Sequence, residues 1–160
     1  MEPKIEILSE KKLVGKSLQL SFENYRVHEL WRAFMPRRRE ILNSLANELI
    51  SMAIYSPSFD FKDIDPKVEF QRWAAVEVAS FDQIPDGFET YTLTSGLYAI
   101  FHYKGLSTDI SIFKYIFNSW LPNSPYILDS RPHLEILGAK YKNDDPNSEE
   151  DICIPIKNKV

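Results

Sequence analysis

Cysteine is almost missing from this chain: Cys153 is the single one among 160 residues. No intrachain disulfide can form, and no thiolate cluster can hold a metal. Set between Ile152 and Ile154 in a strand-like run, that thiol reads as buried and inert. Positive charge is also short, with 19 Lys and Arg against 23 Asp and Glu and a net charge of −4. This argues against a dedicated nucleic-acid surface. No apolar run approaches membrane-spanning length, and Met1-Glu2-Pro3-Lys4 opens no apolar signal region, so the cytoplasm is the expected location. The three histidines, His28, His102 and His133, lack the spacing of metal ligands. No phosphate loop, dinucleotide fingerprint or Ser/His/Asp signature is present. Neither metal nor cofactor is expected.

What is present is a repeat. Lys62-Asp63-Ile64-Asp65-Pro66 returns eighty positions later as Lys142-Asn143-Asp144-Asp145-Pro146, an offset of half the chain. Each copy follows a short apolar run and precedes a strand-like one. Two copies of one supersecondary unit, 1–80 and 81–160, are therefore expected within a single domain, with a site where they meet. The Asp-Pro loops lack the glycine and ligand order of a calcium loop and read as Asx-turns. Aromatic residues are plentiful at 13%, with ten Phe, eight Tyr and three Trp. Some must fill the core; others suit a pocket for flat or cationic ligands.

The element order is strand, helix, strand, strand, twice. Lys4 to Phe22 alternates as a strand or hairpin, with a bulge or turn at Gly15 matched later by Gly96. A helix capped by Asn24 carries Val27, Leu30, Trp31 and Phe34 on one stripe until Pro36 interrupts it. Leu49–Tyr55 and Phe70–Ala79 read as strands. In the second half Glu89–Tyr103 is strand-like, and Ser107 or Thr108 caps a helix with Ile110, Phe113, Ile116, Phe117 and Trp120 on its buried side. Pro132–Leu137 and Asp151–Lys157 complete the set. Arg37-Arg38-Arg39 reads as a solvated helix face.

Strand alternation then sorts the faces. If the apolar Leu134, Ile136, Met52 and Ile54 face the helices, His133, Glu135 and Tyr55 face the other way. Trp73 lies opposite Ala74 and Val76, and Tyr98 and His102 lie opposite Ala99 and Phe101. The side away from the helices should thus collect Tyr55, Trp73, Tyr98, His102, His133 and Glu135, with Trp120 at the helix end as a further wall. Such a surface has the composition of a ligand groove. Glu135, alone among apolar neighbours, is the candidate charged group: a counter-ion or a general acid/base.

Several stretches taken together, in their order and spacing, resemble the GyrI-like small-molecule-binding family. That family includes effector-binding domains of AraC- and MerR-type multidrug-sensing regulators. The stretches are Leu30-Trp31-Arg32-Ala33-Phe34-Met35-Pro36, Trp73-Ala74-Ala75-Val76-Glu77-Val78, Ile84-Pro85-Asp86-Gly87, Gly96 to Gly105, Trp120-Leu121-Pro122, Arg131-Pro132-His133-Leu134-Glu135 and Ile152-Cys153-Ile154-Pro155-Ile156. The resemblance covers nearly the whole chain. It implies an α+β fold of two pseudo-twofold-related β-α-β-β units that form a curved antiparallel sheet, with helices on one side and a ligand groove on the other. It also implies a buried groove glutamate that meets cationic aromatic ligands, the place Glu135 fills. Family members often carry Tyr two positions after that glutamate, where this chain has Leu137.

The expectation is a stand-alone binding protein for a flat apolar ligand, cationic or neutral, with Glu135, Tyr55, Trp73, Tyr98, Trp120 and His133 around it. Family regulators carry a helix-turn-helix in the same chain; this chain shows none, so direct DNA binding is not expected. A protein partner, such as a regulator or gyrase, is the interaction reading. Hydrolysis of a reactive electrophile with Glu135 is the enzymatic one, and binding is favoured over catalysis.

Overall fold

Two strand–helix–strand–strand units recur, each extended by one strand that crosses to the other unit. A computed structural model describes residues 1–160. In chain order, β1 is Lys4–Leu8, β2 Lys11–Leu20, α1 Val27–Phe34, β3 Leu49–Ile54 and β4 Phe70–Val78. The second half holds β5 Glu89–Leu93, β6 Gly96–Lys104, α2 Ser111–Tyr115, β7 Tyr126–Leu128, β8 His133–Leu137 and β9 Glu149–Asn158. Pro36 has no N–H to continue the α pattern, and α1 tightens into a 3-10 turn over Met35–Glu40. The second helix widens instead into a π turn over Ile116–Trp120. The extra residue in that turn lets Ile116 and Phe117 both bury themselves on the sheet. Neither helix uses the cap expected from sequence: Asn24 lies before the Arg26 start of α1, and the Asp109 carboxylate, not Ser107 or Thr108, accepts the Ser111 N–H at 2.9 Å. No helix is long and apolar enough to cross a membrane.

The antiparallel sheet runs β1-β6-β9-β8-β3-β4-β2-β5, and β7 adds to β9. The unit boundary is the β3–β8 pair, where Ser51 stands opposite Glu135 and Ala53 opposite His133. β1 and β2 do not form the hairpin that Lys4–Phe22 suggested. β1 pairs with β6 at one end of the sheet, and β2 pairs with β4 and β5 at the other. Only Ser9 and Glu10 join β1 to β2, and only Thr94 and Ser95 join β5 to β6. Links this short reach about 10 Å, so the two ends of the sheet must be brought together. The sheet curls on itself and both of its faces are buried.

One face carries the helices. Val14, Ala74, Val76 and Val78 pack under α1, and Ala99, Phe101, Ile152, Ile154 and Ile156 under α2. The other face is turned inward and filled by Leu13, Ile50, Met52, Trp73, Tyr98, Leu134 and Cys153, with Leu8 and Leu93 from the two extremes of the sheet. Cys153 has no exposed surface, and burial pushes its thiol up to about 12. The alternation read from sequence is correct strand by strand, but β3 and β8 are inverted relative to the helices. The ladder fixes this, since Met52 is paired with Trp73 and Leu134 with Cys153, and directly paired residues share a face. Apolar character could not distinguish the faces because both are dry.

The duplicated pentapeptides form the same turn. The Asp65 carboxylate accepts the Lys67 N–H at 3.0 Å and the Asp145 carboxylate the Asn147 N–H at 2.8 Å. In each, the Asp backbone carbonyl takes the N–H three residues on, from Val68 and Ser148, at 3.1 Å. These Asx-turns launch β4 and β9 in equivalent frames. Trp73 and Cys153 stand eighty residues apart, whereas their ladder partners Met52 and Leu134 stand eighty-two apart. Glu135 is therefore the counterpart of Ala53, and Tyr55 of Leu137. Gly15 sits in unbroken pairing, opposite Ala75 and Glu89, and is no bulge. A Cβ there would run into the Ala74 carbonyl oxygen and the Ala75 methyl. Gly15→Ala is expected to destabilise the protein by about 2 kcal/mol, measured by urea unfolding. An unchanged midpoint would show that β2 and β4 can move apart here without loss.

Candidate functional site

The apolar alternation of β3, β4, β8 and β9 is interrupted on the helix-bearing face by a few polar side chains. Ser51 lies between Leu49 and Ala53 on that face, Arg72 between Phe70 and Ala74, Glu135 between His133 and Leu137, and Glu150 beside Ile152. They converge on the β3–β8 seam. A hollow of about 40 Å³ lies there, lined by Ser51, Ala53, Tyr55, Arg72, Phe113, His133, Glu135, Ile152 and Ile154 among others. α2 flanks it with Phe113 and Phe117, and the turn before α1 supplies Tyr25.

Arg72 is 8% exposed. Its guanidinium donates to the Tyr25 hydroxyl at 3.0 Å and to the Ser51 hydroxyl at 2.5 Å, while its Nε–H has no partner. Burial opposes the charge, but the oxygens of Tyr25, Glu135 and Tyr55 outweigh it and hold the cation firmly. Glu150 is 6% exposed. Burial, then the charge of Glu135 and a hydrogen bond to it, push its carboxyl up to about 8. At neutral pH Glu150 therefore holds its proton. His133 is driven down to about 3 by burial and by Arg72, so its ring is neutral. Burial raises the Tyr55 hydroxyl well beyond its usual range.

Rings cover this polar floor. Tyr55 packs on Phe59, Phe61, Phe70 and His133 with centroids 4.7–4.9 Å apart. Phe61 stacks on Phe117 at 4.5 Å and on His133 at 5.1 Å.

Of the six residues expected around a ligand, the structure brings Glu135, Tyr55 and His133 together. It places Trp73 and Tyr98 on the inward face, 4% and 0% exposed. The Tyr98 hydroxyl donates to the Pro132 carbonyl at 2.8 Å, and Trp73 donates its indole N–H to Gln71. Both are packed core side chains, because the curl of the sheet closes the face that was expected to be open. Trp120, at the end of the π turn after α2, lies edge-on to Phe101 at 5.2 Å, beside a separate surface hollow of about 440 Å³ that it shares with Tyr115 and Tyr126. His102 is exposed and bridges Glu149 and Asp151 at 2.8 Å each.

Sequence reasoning missed Arg72, Glu150, Phe59 and Phe61. The signal for the first two was there: Arg72 shares parity with Ala74 and Val76, and Glu150 with Ile152 and Ile154. Each is a charged residue on an apolar face. The two phenylalanines lie in a loop where no periodicity points.

The chain thus forms a curved α+β sheet of two related halves with a polar hollow at the seam. A family model for the GyrI-like small molecule binding domain matches residues 1–157, and the chain belongs to that family. Its fold is that of SAV2435, solved bound to tetraphenylphosphonium (TM-score 0.63, 19% identity, covering 98% of this chain and 94% of that one). It is also that of the EcmrR C-terminal domain (TM-score 0.71, 11% identity, 98% of each chain). A hydrolase encoded by lin2189 from Listeria innocua shares it too (TM-score 0.63, 10% identity, 98% of this chain and 92% of that one). No curated protein sequence matches this chain.

Proposed function

We propose that this domain binds a flat, apolar, aromatic small molecule, cationic or neutral, at the seam between its two units, as an effector-binding domain without a DNA-binding segment in the chain described. The observation that carries the reading is the carboxyl pair Glu135 and Glu150 beneath an aromatic canopy. Arg72 balances one of the two charges and a proton the other. A neutral ligand meets a neutral floor. A cation meets a second negative charge once the proton leaves, and the rings of Tyr55 and Phe117 add cation–π contact. The complex of SAV2435 with tetraphenylphosphonium, a tetrahedral cation built of planar phenyl rings, supports an apolar aromatic ligand, and the likeness to EcmrR, also solved with DNA, supports the effector-binding role.

Titration with tetraphenylphosphonium tests the reading. Affinity on the order of micromolar is expected, since a desolvated ion pair and ring contacts supply several kcal/mol. Because Glu150 must ionise to compensate a cation, affinity should rise with pH up to about 8. Glu135→Gln should weaken binding about tenfold or more. Equal affinity for both proteins would remove the counter-ion role.

Hydrolysis of an electrophile is the second reading, favoured by the same carboxyl pair. Glu150 holds a proton at neutral pH beside a second carboxyl, an arrangement suited to acid and base catalysis. Incubation with an alkylating epoxide separates the two. Turnover lost in Glu135→Gln belongs to hydrolysis; saturable binding without turnover belongs to the binding reading.

A further inference from the structure

The seam is built for a ligand but has no room for one. Its hollow of about 40 Å³ holds a water molecule and no ring, whereas sites for drug-sized molecules run to about 300 Å³ or more. The missing space is occupied by the chain itself. Residues 55–69 connect β3 to β4 without regular structure, and from Lys62 to Glu69 every residue is exposed. Only Tyr55, Phe59 and Phe61 turn inward. The Phe61 ring lies nearly parallel to Phe117 (4.5 Å, 17°) and to His133 (5.1 Å, 20°) and roofs the pair. Phe59 backs it at 4.8 Å and packs on Tyr55 at 4.7 Å.

Little else fastens this loop. Its polar side chains bond within the loop: Ser56 with Ser58, Asp60 with the Lys62 and Asp63 N–H groups, Asp65 with the Lys67 N–H. One backbone hydrogen bond reaches out of it, from the Glu23 N–H to the Pro66 carbonyl. A segment held mainly by rings and a single outside bond opens without disturbing the sheet.

We propose that loop 55–69 is a self-occupying lid: the Phe61 ring holds the stacking position on Phe117 and His133 that a planar aromatic ligand takes, and the ligand binds by displacing it. The inference rests on the small-molecule-binding reading above. It also narrows the ligand: a ring that replaces Phe61 must be flat and at least the size of a phenyl group, with any positive charge directed toward Glu135. Apparent affinity is the intrinsic affinity reduced by the fraction of molecules whose lid is open. Two ring stacks of ordinary strength leave that fraction on the order of one tenth or less.

Ethidium, a planar aromatic cation, is the probe. Phe61→Ala should bind it about tenfold more tightly than the parent protein, with both folds checked by thermal melting. In a Phe61→Trp variant, saturating ethidium should shift the new indole's emission to the red as it leaves the stack for water. Equal or weaker binding by Phe61→Ala, or no shift in Phe61→Trp, overturns the lid while leaving the binding site standing. Failure of both the parent and Phe61→Ala to bind ethidium or tetraphenylphosphonium overturns the binding reading, and the lid with it.

Discussion

Arg72→Met is expected to lower stability by about 3 kcal/mol at pH 7, because removing one partner from a buried charged cluster strands the others. Methionine fills the same channel and keeps β4 packed, so the loss isolates the charge and its bonds. Two hydroxyls lose their donor, those of Ser51 and Tyr25. Glu135 and Glu150 lose the cation that faces them. Glu135 is only half-buried, and solvent screening limits its share. The loss should grow at pH 9, above the value of about 8 at which Glu150 gives up its proton and a further carboxylate needs the cation. Urea unfolding at both pH values checks this. A loss of the same size at both would assign Arg72 a packing role only.

Glu150→Gln is expected to act in the opposite direction. The folded carboxyl titrates at about 8, against an ordinary 4.5. Between those values the unfolded chain has released a proton that the folded chain must bind, so this group's stabilisation is complete below 4.5 and disappears as pH rises toward 8. At pH 7 the two and a half pH units above the ordinary value correspond to about 3 kcal/mol. Glutamine carries no such penalty, and its amide N–H can take the place of the carboxyl proton in bonding Glu135. Glu150→Gln should therefore be more stable than the parent by up to about 3 kcal/mol at pH 7 and about equal to it at pH 4. Comparing the two proteins at each pH cancels the remaining titrating groups. A difference that does not change with pH would mean that Glu150 holds no such proton. The variant should also bind tetraphenylphosphonium with little pH dependence, the functional counterpart of its stability.

The repeat made the architecture legible. The two pentapeptides, eighty residues apart, are real twins down to their Asx-turns, and the strand–helix–strand–strand order follows from periodicity and breakers alone. Alternation within each strand was also readable: Trp73 opposite Ala74, Tyr98 opposite Ala99, Glu135 opposite Leu134. The offset of eighty does not hold in every strand: β3 and β8 stand eighty-two apart, which makes Ala53 the twin of Glu135. Tyr55 reaches the site regardless, as the residue directly after β3.

The sequence by itself determined which residues share a face, that two like Asx-turns precede two strands and that one carboxylate, Glu135, stands out among apolar neighbours. These are local properties, set by the two-residue period of a strand and by turn chemistry. Only the tertiary structure decided which face is the site. The two-residue links at Ser9–Glu10 and Thr94–Ser95 curl the sheet, so the face with Trp73 and Tyr98 becomes a packed interior and the face with Glu135 receives the helices. The partners of Glu135 were likewise decided in three dimensions. Arg72, Glu150 and Phe61 come from β4, β9 and a loop, and no pattern within any one of these segments encodes their meeting.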